Sequence, residues 1–256
     1  MKILCVGDRI FDSYQFCKAT RLCPEACAPV LHIQSERTSE GGASNIAENL
    51  KSLMGGECVL TAFGSISYKH RVFADRTLIC RIDRDGYSVL GSDAYWKEIQ
   101  SKAAVSDWIV VGDYGKGAIT PGIASGLVAL GKPLFVDAKH NQQHYKGCYA
   151  FFPNEDEHNG IQSGDYQHVI RKLGPRGCSV DGILVPTKEE QQVYDVTGAG
   201  DVFLAAFVWK YSTSYPGLPK ISLVTELLEC ARVANLAAGI SVRHLGTYVV
   251  RPEEID

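Results

Sequence analysis

The chain has 256 residues, 45% of them hydrophobic and 21% charged, with a net charge of −3. That length fits one large α/β domain, alone or with a small appendage, and the composition excludes wholesale disorder. The balance of charge provides no basic field for nucleic acid, and no apolar run reaches the ~20 residues that a membrane span needs.

The opening Met1-Lys2-Ile3-Leu4-Cys5-Val6-Gly7 turns polar too soon for a secretory signal, so a cytoplasmic protein is expected. The nine cysteines contain no Cys-x-x-Cys pair. Without metal-ligand spacing they read as free thiols in a reducing compartment, several of them packed as small hydrophobes.

Residues 2–6 are a short apolar run ending in Gly7-Asp8, which predicts a buried first strand that delivers polar groups at its carboxyl end. Residues 13–37 show no helical period; 30–33 read as a strand, with Pro24 and Pro29 punctuating the approach. Gly41-Gly42 leads into a helix over 43–54, where Ile46, Ala47, Leu50, Leu53 and Met54 share a face and Gly55-Gly56 forms the stop. Strands follow at 71–74 and 77–83 around Asp75-Arg76. Together with 30–33 they predict a small separate sheet, a lid drawn from about 13–40 and 69–90.

From Ser92 onward the pattern alternates regularly. Helices are expected at 93–105 and 121–130, and strands at 108–111, 133–136 and 149–152. Residues 168–173 and 178–185 read as strands around a Gly174-x-x-Gly177 turn. Two helices, 199–211 and 223–242, close the chain, joined by a loop at 212–219. Such alternation implies one mostly parallel sheet with helices on both faces.

The strongest chemical signal is Asp195-Val196-Thr197-Gly198-Ala199-Gly200-Asp201, which leads straight into the apolar helical period Val202-Phe203-Leu204-Ala205-Ala206-Phe207. A glycine-rich turn at a helix start offers unpaired amides and the positive end of the helix dipole. It can hold a transferring phosphoryl group, and a carboxylate in the first turn can take the proton of an attacking hydroxyl. The plainer alternative is that Asp201 only complements the dipole.

This segment resembles the signature of the PfkB/ribokinase family of carbohydrate kinases, and within it most resembles kinases of heptose 7-phosphate. The likeness extends along nearly the whole chain. It takes in Gly7-Asp8-x-x-x-Asp12, Arg21-Leu22-Cys23-Pro24-Glu25-Ala26, Gly41-Gly42-Ala43-Ser44-Asn45-Ile46-Ala47, Asp113-Tyr114-Gly115-Lys116-Gly117 and Val136-Asp137-Ala138-Lys139. Pro153-Asn154-x-x-Glu157 and Ala234-Asn235-x-Ala237-Ala238-Gly239 complete the series.

The resemblance implies a ribokinase-like α/β fold, a mostly parallel sheet flanked by helices plus a β lid, as a single kinase domain over 1–256. It further implies an ATP-dependent kinase in nucleotide-sugar biosynthesis, with Asp201 as base and Gly198, Ala199 and Gly200 as the anion cradle. Asp12, Gly41, Gly42 and Asn45 are then expected at the sugar, and the lid residues Lys69 and Arg81 suit a substrate that already carries phosphate. The alternative for these lid cations is a solvated ribbon of alternating charge, and for Asp12 a turn or cap.

The same resemblance puts Asn154 and Glu157 with Mg2+, Gly174, Gly177, Asn235 and Gly239 around the nucleotide, and Lys139 and Lys116 near phosphate. Asn154 and Glu157 also suit a simple helix start. Asp195, Thr197 and the backbone near Gly246 are expected to take a monovalent cation, K+. A homodimer paired through the lid is implied as well.

Two segments are shorter than the resemblance predicts. Residues 61–68 lack a Gly-x-Asp-x-x-Gly segment and a helix, and a helical stretch is missing between Glu157 and His168. No His-x-Gly-His of a nucleotidyltransferase half occurs. The compaction leaves room for a second reading, a family member that only binds a nucleotide or sugar, and a third within the class, a kinase of another sugar or of a nucleoside. A dinucleotide-dependent oxidoreductase fails, because no Gly-x-Gly-x-x-Gly follows the first strand.

Overall fold

The computed structural model describes residues 1–56, 59–75, 77–88, 91–162, 164–188, 193–215 and 224–255. Cys58, Arg76, residues 89–90 of the expected lid, residues 216–219 of the expected loop and Leu223 lie outside them. The described strands are β1 (Ile3–Leu22), β2 (Pro29–Gly42), β3 (Val59–Ala74), β4 (Thr77–Ser88), β5 (Trp108–Asp113), β6 (Leu134–Ala138), β7 (Ala150–Phe151), β8 (His168–Lys172), β9 (Cys178–Val180) and β10 (Ile183–Val185). The α-helices are α1 (Ala43–Met54), α2 (Ser92–Ala104), α3 (Pro121–Ala129), α4 (Ala199–Ser214) and α5 (Val224–Ser241).

The strands run β10-β9-β8-β7-β6-β5-β1-β3-β4, and β2 pairs with β1. Pairings from β3 through β1 and β5 to β8 are parallel, while β2, β4, β9 and β10 attach antiparallel. Helices cover both faces. One apolar core joins α1, α4 and α5 to Ile3, Cys5, Val110 and Phe135 on one side of the sheet. The other joins α2 and α3 to Leu4, Val6, Ile109 and Val136. Central strands buried on both faces need continuous apolar runs, as residues 3–6 and 108–111 supply. Helix α4 is apolar nearly all round, and it is buried accordingly between α1 and α5.

The expectation of a separate lid sheet needs correction. β1 does not stop at Gly7-Asp8 but runs on for 20 residues, and β3 likewise passes unbroken from the core to Ala74. The lid is therefore the outer half of the central sheet, in the order β2-β1-β3-β4. The polar turn of the sequence after Val6 marks where β1 leaves the apolar core, not where it ends. Beyond it Ile10, Asp12 and Tyr14 alternate inward, the period-2 pattern of a half-buried strand. The short 61–68 segment leaves nothing to interrupt β3.

Two smaller corrections follow. Residues 178–185 are two strands, because Asp181 takes a left-handed turn (φ 48°) that folds β10 back on β9. Residues 155–160 form turns, in keeping with the helix missing there. The cysteine expectation holds for the eight described: all are free thiols, with Cys5, Cys17, Cys148, Cys178 and Cys230 buried.

Candidate active site

Gly7 fixes the floor of the site. It takes φ 146°, and a Cβ there would meet the Gly112 carbonyl oxygen at 2.1 Å, so β1 and β5 can close up beneath α1 only with glycine. Next along β1 the Asp8 carboxylate is fully buried. It accepts from Ser65 Oγ (2.6 Å) and from the backbone amides of Tyr114 (2.8 Å), Lys116 (3.1 Å) and Ala118 (2.8 Å). One carboxylate thus shapes the loop after β5. Asp113 closes that loop from the other side, accepting from the Gly115 amide and the Tyr145 hydroxyl, both at 3.0 Å. Burial pushes the Asp113 carboxyl up to about 6.

Asp201 stands in the first turn of α4, only 5% exposed. Gly198 caps the helix in the left-handed region (φ 77°), and a Cβ there would press on Asn45 Nδ2 at 2.6 Å. Asn45 Nδ2 donates to Asp201 Oδ2 at 2.9 Å and to the Gly198 carbonyl at 3.4 Å. Asn49 donates to Asn45 Oδ1 at 3.1 Å, which turns the Asn45 amino group toward Asp201. The other carboxylate oxygen, Oδ1, accepts from the Tyr114 hydroxyl. Burial, with the nearby Asp12 charge adding to it, raises the Asp201 carboxyl to about 7 despite the Asn45 bond. A carboxylate poised near neutrality is suited to general-base work.

The residues expected at the sugar lie on β1, β2, β3, β4 and the start of α1. Asp12 lies mid-strand at 3% exposure, which excludes the turn or cap reading for it. It pairs with Arg71 and packs so tightly on Gly41 that a Cβ there would meet Asp12 Oδ2 at 2.5 Å. Gly42 caps α1, placing Asn45 in its first turn. Lys69 and Arg81 both reach Asp83, at 3.2 and 2.8 Å. Lys116 pairs with Asp85 at 2.6 Å, and the Lys139 ammonium sits 5.0 Å from the centre of the Tyr114 ring.

Beside the glycine turn that opens α4 lies a cavity of about 420 Å³. It gathers Gly174, Gly177, Asn235, Gly239, Ala199 and Gly200 from among the expected residues. Asn235 Nδ2 donates to the Val185 carbonyl at 3.0 Å, bracing α5 against β10. Apolar walls come from Val193, Val196, Phe203, Ala238 and Val242.

Asn154 and Glu157 do not line this cavity. They close a reciprocal turn, the Glu157 amide donating to Asn154 Oδ1 (2.8 Å) and the Asn154 amide to Glu157 Oε2 (2.9 Å). The helix-start alternative is thus present as a turn, and Glu157 Oε1 stays outside it. Among the described residues no group of three His, Cys, Asp or Glu side chains is placed to hold a metal ion. Mg2+ keeps most of its water and enters on phosphate, so one amide and one carboxylate oxygen fit it as outer partners. Asp195 accepts from Thr197 N (2.9 Å), Thr197 Oγ1 (2.7 Å) and Gly246 N (2.8 Å), so the three groups expected at a monovalent cation do meet.

Three residues escaped sequence reasoning: Tyr114, Lys172 and Asp8. Tyr114 and Asp8 sit inside quoted motifs, yet only the fold brings the Tyr114 hydroxyl to Asp201. Lys172 carries no local signal beyond ending a strand.

Residues 146–254 match the pfkB family of carbohydrate kinases. The bifunctional protein HldE of Pelobacter propionicus is 30% identical to the chain, over 98% of the chain and 62% of its own length. The chain thus spans about three fifths of the curated relatives it matches. That alignment covers 311 positions, more than the chain itself has, as a match bridging missing segments must. Among solved structures, ribokinase from Giardia lamblia superposes with a TM-score of 0.76 at 17% identity, covering 100% of this chain and 98% of its own. Phosphofructokinase-2 from Escherichia coli, in complex with potassium, gives 0.73 at 16%, covering 100% and 96%. The fold is ribokinase-like.

Proposed function

Because residues 146–254 match the pfkB family of carbohydrate kinases and the chain is 30% identical to a bifunctional protein HldE, we propose that it moves the γ-phosphoryl group of ATP to a hydroxyl of a sugar or sugar phosphate. The observation that carries this reading is Asp201: a buried carboxylate raised to about 7, set in the first turn of α4 directly after Ala199 and Gly200, which line a nucleotide-sized cavity, and bonded to Asn45 of α1.

ATP lies with its base between Gly174–Gly177 and α5, and its phosphates reach the amides of Gly198, Ala199 and Gly200. The substrate hydroxyl takes the place of the Tyr114 hydroxyl on Asp201 Oδ1 and gives its proton to that oxygen. Asn45 holds Oδ2, so the attacking oxygen has one direction to face. Asp12, Gly41 and Gly42 orient the remaining hydroxyls. Mg2+ held by the phosphates, with Asn154 and Glu157 as water-mediated partners, would spread the phosphate charge. K+ belongs at Asp195, Thr197 and Gly246, where it would steady the turn before α4.

The preferred acceptor is the anomeric hydroxyl of heptose 7-phosphate. Support comes from the sequence resemblance and from Lys69, Arg71 and Arg81 sharing one face of the lid near Asp12. The lid also leaves Leu22, Ile33, Leu78, Ile79 and Ile82 exposed. A homodimer pairing through these strands would cover them. ATP as donor suits the cytoplasm.

ADP release measured over a panel of sugars, sugar phosphates and nucleosides tests the reading. Turnover on one phosphorylated sugar, lost by about 10³-fold or more in Asp201→Asn while ATP still binds, is the expected result. No turnover on any acceptor, with ATP bound normally, would favour the alternative of a nucleotide- or sugar-binding protein without catalysis. Turnover only on an unphosphorylated sugar or a nucleoside would keep the kinase and discard heptose 7-phosphate.

A further inference from the structure

Lys172 ends β8, and its ammonium reaches the glycine turn that opens α4. A Cβ built on Gly200 would lie 3.4 Å from Lys172 Nζ and 3.8 Å from Asp137 Oδ2. Asp137 sits near the end of β6, and Lys172 pairs with it. Both are largely withdrawn from water, their side chains 16% and 7% exposed. Because β6, β7 and β8 run parallel, the pair spans β7 at the carboxyl edge of the sheet, beside the exposed amides of the turn.

Among the described side chains that line the 420 Å³ cavity, Lys172 is the one that carries a charge. The cavity is otherwise glycine, aliphatic and aromatic surface with Asn235 and Thr187. A polyphosphate entering it meets one cation, already held within reach of Gly200. A lysine serves phosphate as a compact, mobile point charge, and burial beside an amide cradle makes that charge count for more than it would in water.

We infer that Lys172 is a catalytic residue of the phosphoryl transfer, one that leaves Asp137 for the β- and γ-phosphate oxygens when the nucleotide binds. The acceptor oxygen bonds to the γ-phosphorus as its proton passes to Asp201. The bond from that phosphorus to the β,γ-bridging oxygen breaks, and its electron pair stays on ADP. The Lys172 ammonium faces the charge that gathers there. Asp137 keeps the lysine in position while the site is empty. This inference rests on the kinase reading above for its catalytic part, and on the cavity alone for its binding part.

Calorimetric titration of adenosine, ADP and ATP into wild type, Lys172→Met, Lys172→Arg and Lys172→Met/Asp137→Asn separates the possibilities. Lys172→Met is expected to weaken ATP and ADP about 10- to 100-fold, on the scale of a charged hydrogen bond, while adenosine binds as before. Its kcat falls too, and Lys172→Arg recovers part of both losses. The double variant removes the unpaired Asp137 charge. If Lys172 served only to neutralise Asp137, the double variant would bind ATP like wild type, and the inference would be overturned. Equal weakening of adenosine and ATP, or none, would overturn it also. The two readings fail separately: absent turnover with ATP affinity still dependent on Lys172 would remove the kinase and keep the phosphate contact. Full turnover in Lys172→Met would do the reverse.

Discussion

The cavity lined by Ala199 and Gly200, next to Asp201 in sequence, and the lid strands that carry Asp12 are furnished differently. The cavity presents glycines, aliphatic side chains, Phe203 and one lysine. The lid presents paired charges: Asp12 with Arg71, Asp83 with Lys69 and Arg81, Asp85 with Lys116. A flat aromatic base needs shape and apolar cover, and backbone can supply both. A polyhydroxylated and phosphorylated sugar needs directional donors and acceptors, which only side chains supply, and these must be satisfied by one another until the ligand arrives. The contrast explains why changes on the two sides have different consequences.

The sharpest way to break it is Asp12→Asn. With its carboxylate gone, Arg71 keeps its charge in a half-buried place without its ion-pair partner, and breaking such pairs costs about 3–5 kcal/mol when burial is complete. Sugar KM should rise about 100-fold and the melting temperature should drop, while ATP affinity stays within about twofold. Steady-state kinetics with each substrate varied in turn checks this, and an equal rise in both KM values would erase the distinction between the two sides.

A smaller effect is expected opposite. Asn235→Ala removes the bond to the Val185 carbonyl that braces the cavity wall. A lost hydrogen bond of this kind is worth about 1 kcal/mol, so ATP affinity should fall about fivefold and sugar KM should not move. Nucleotide titration with and without saturating sugar would detect the change.

The same contrast governs what could be read in advance. The cavity side was legible because glycine demands are local: Gly174-Pro175-Arg176-Gly177 and Gly198-Ala199-Gly200-Asp201 declare their turns in a few residues, and Gly174, Pro175, Gly177, Ala199 and Gly200 meet in one cavity. The parallel core was legible from its apolar runs, and α1 from its helical period. The lid was legible only in part. Its strands alternate polar and apolar on a sheet with one solvated face, so β1 and β3 looked broken where they merely leave the core. Tyr114 and Lys172 were hidden for another reason. Their partners, Asp201 and Asp137, lie 87 and 35 residues away, and spacing cannot show such pairings.

The pH dependence of kcat, measured with ATP and the best acceptor both saturating, tests the role of Asp201 most directly. Only the ionised carboxylate can accept the proton, and its native value is raised to about 7. The rate should therefore be level above that region and should fall about tenfold per unit as pH drops below it. A rate unchanged between about pH 5 and 8, or an Asp201→Asn enzyme with the same profile and rate as the wild type, would contradict the account.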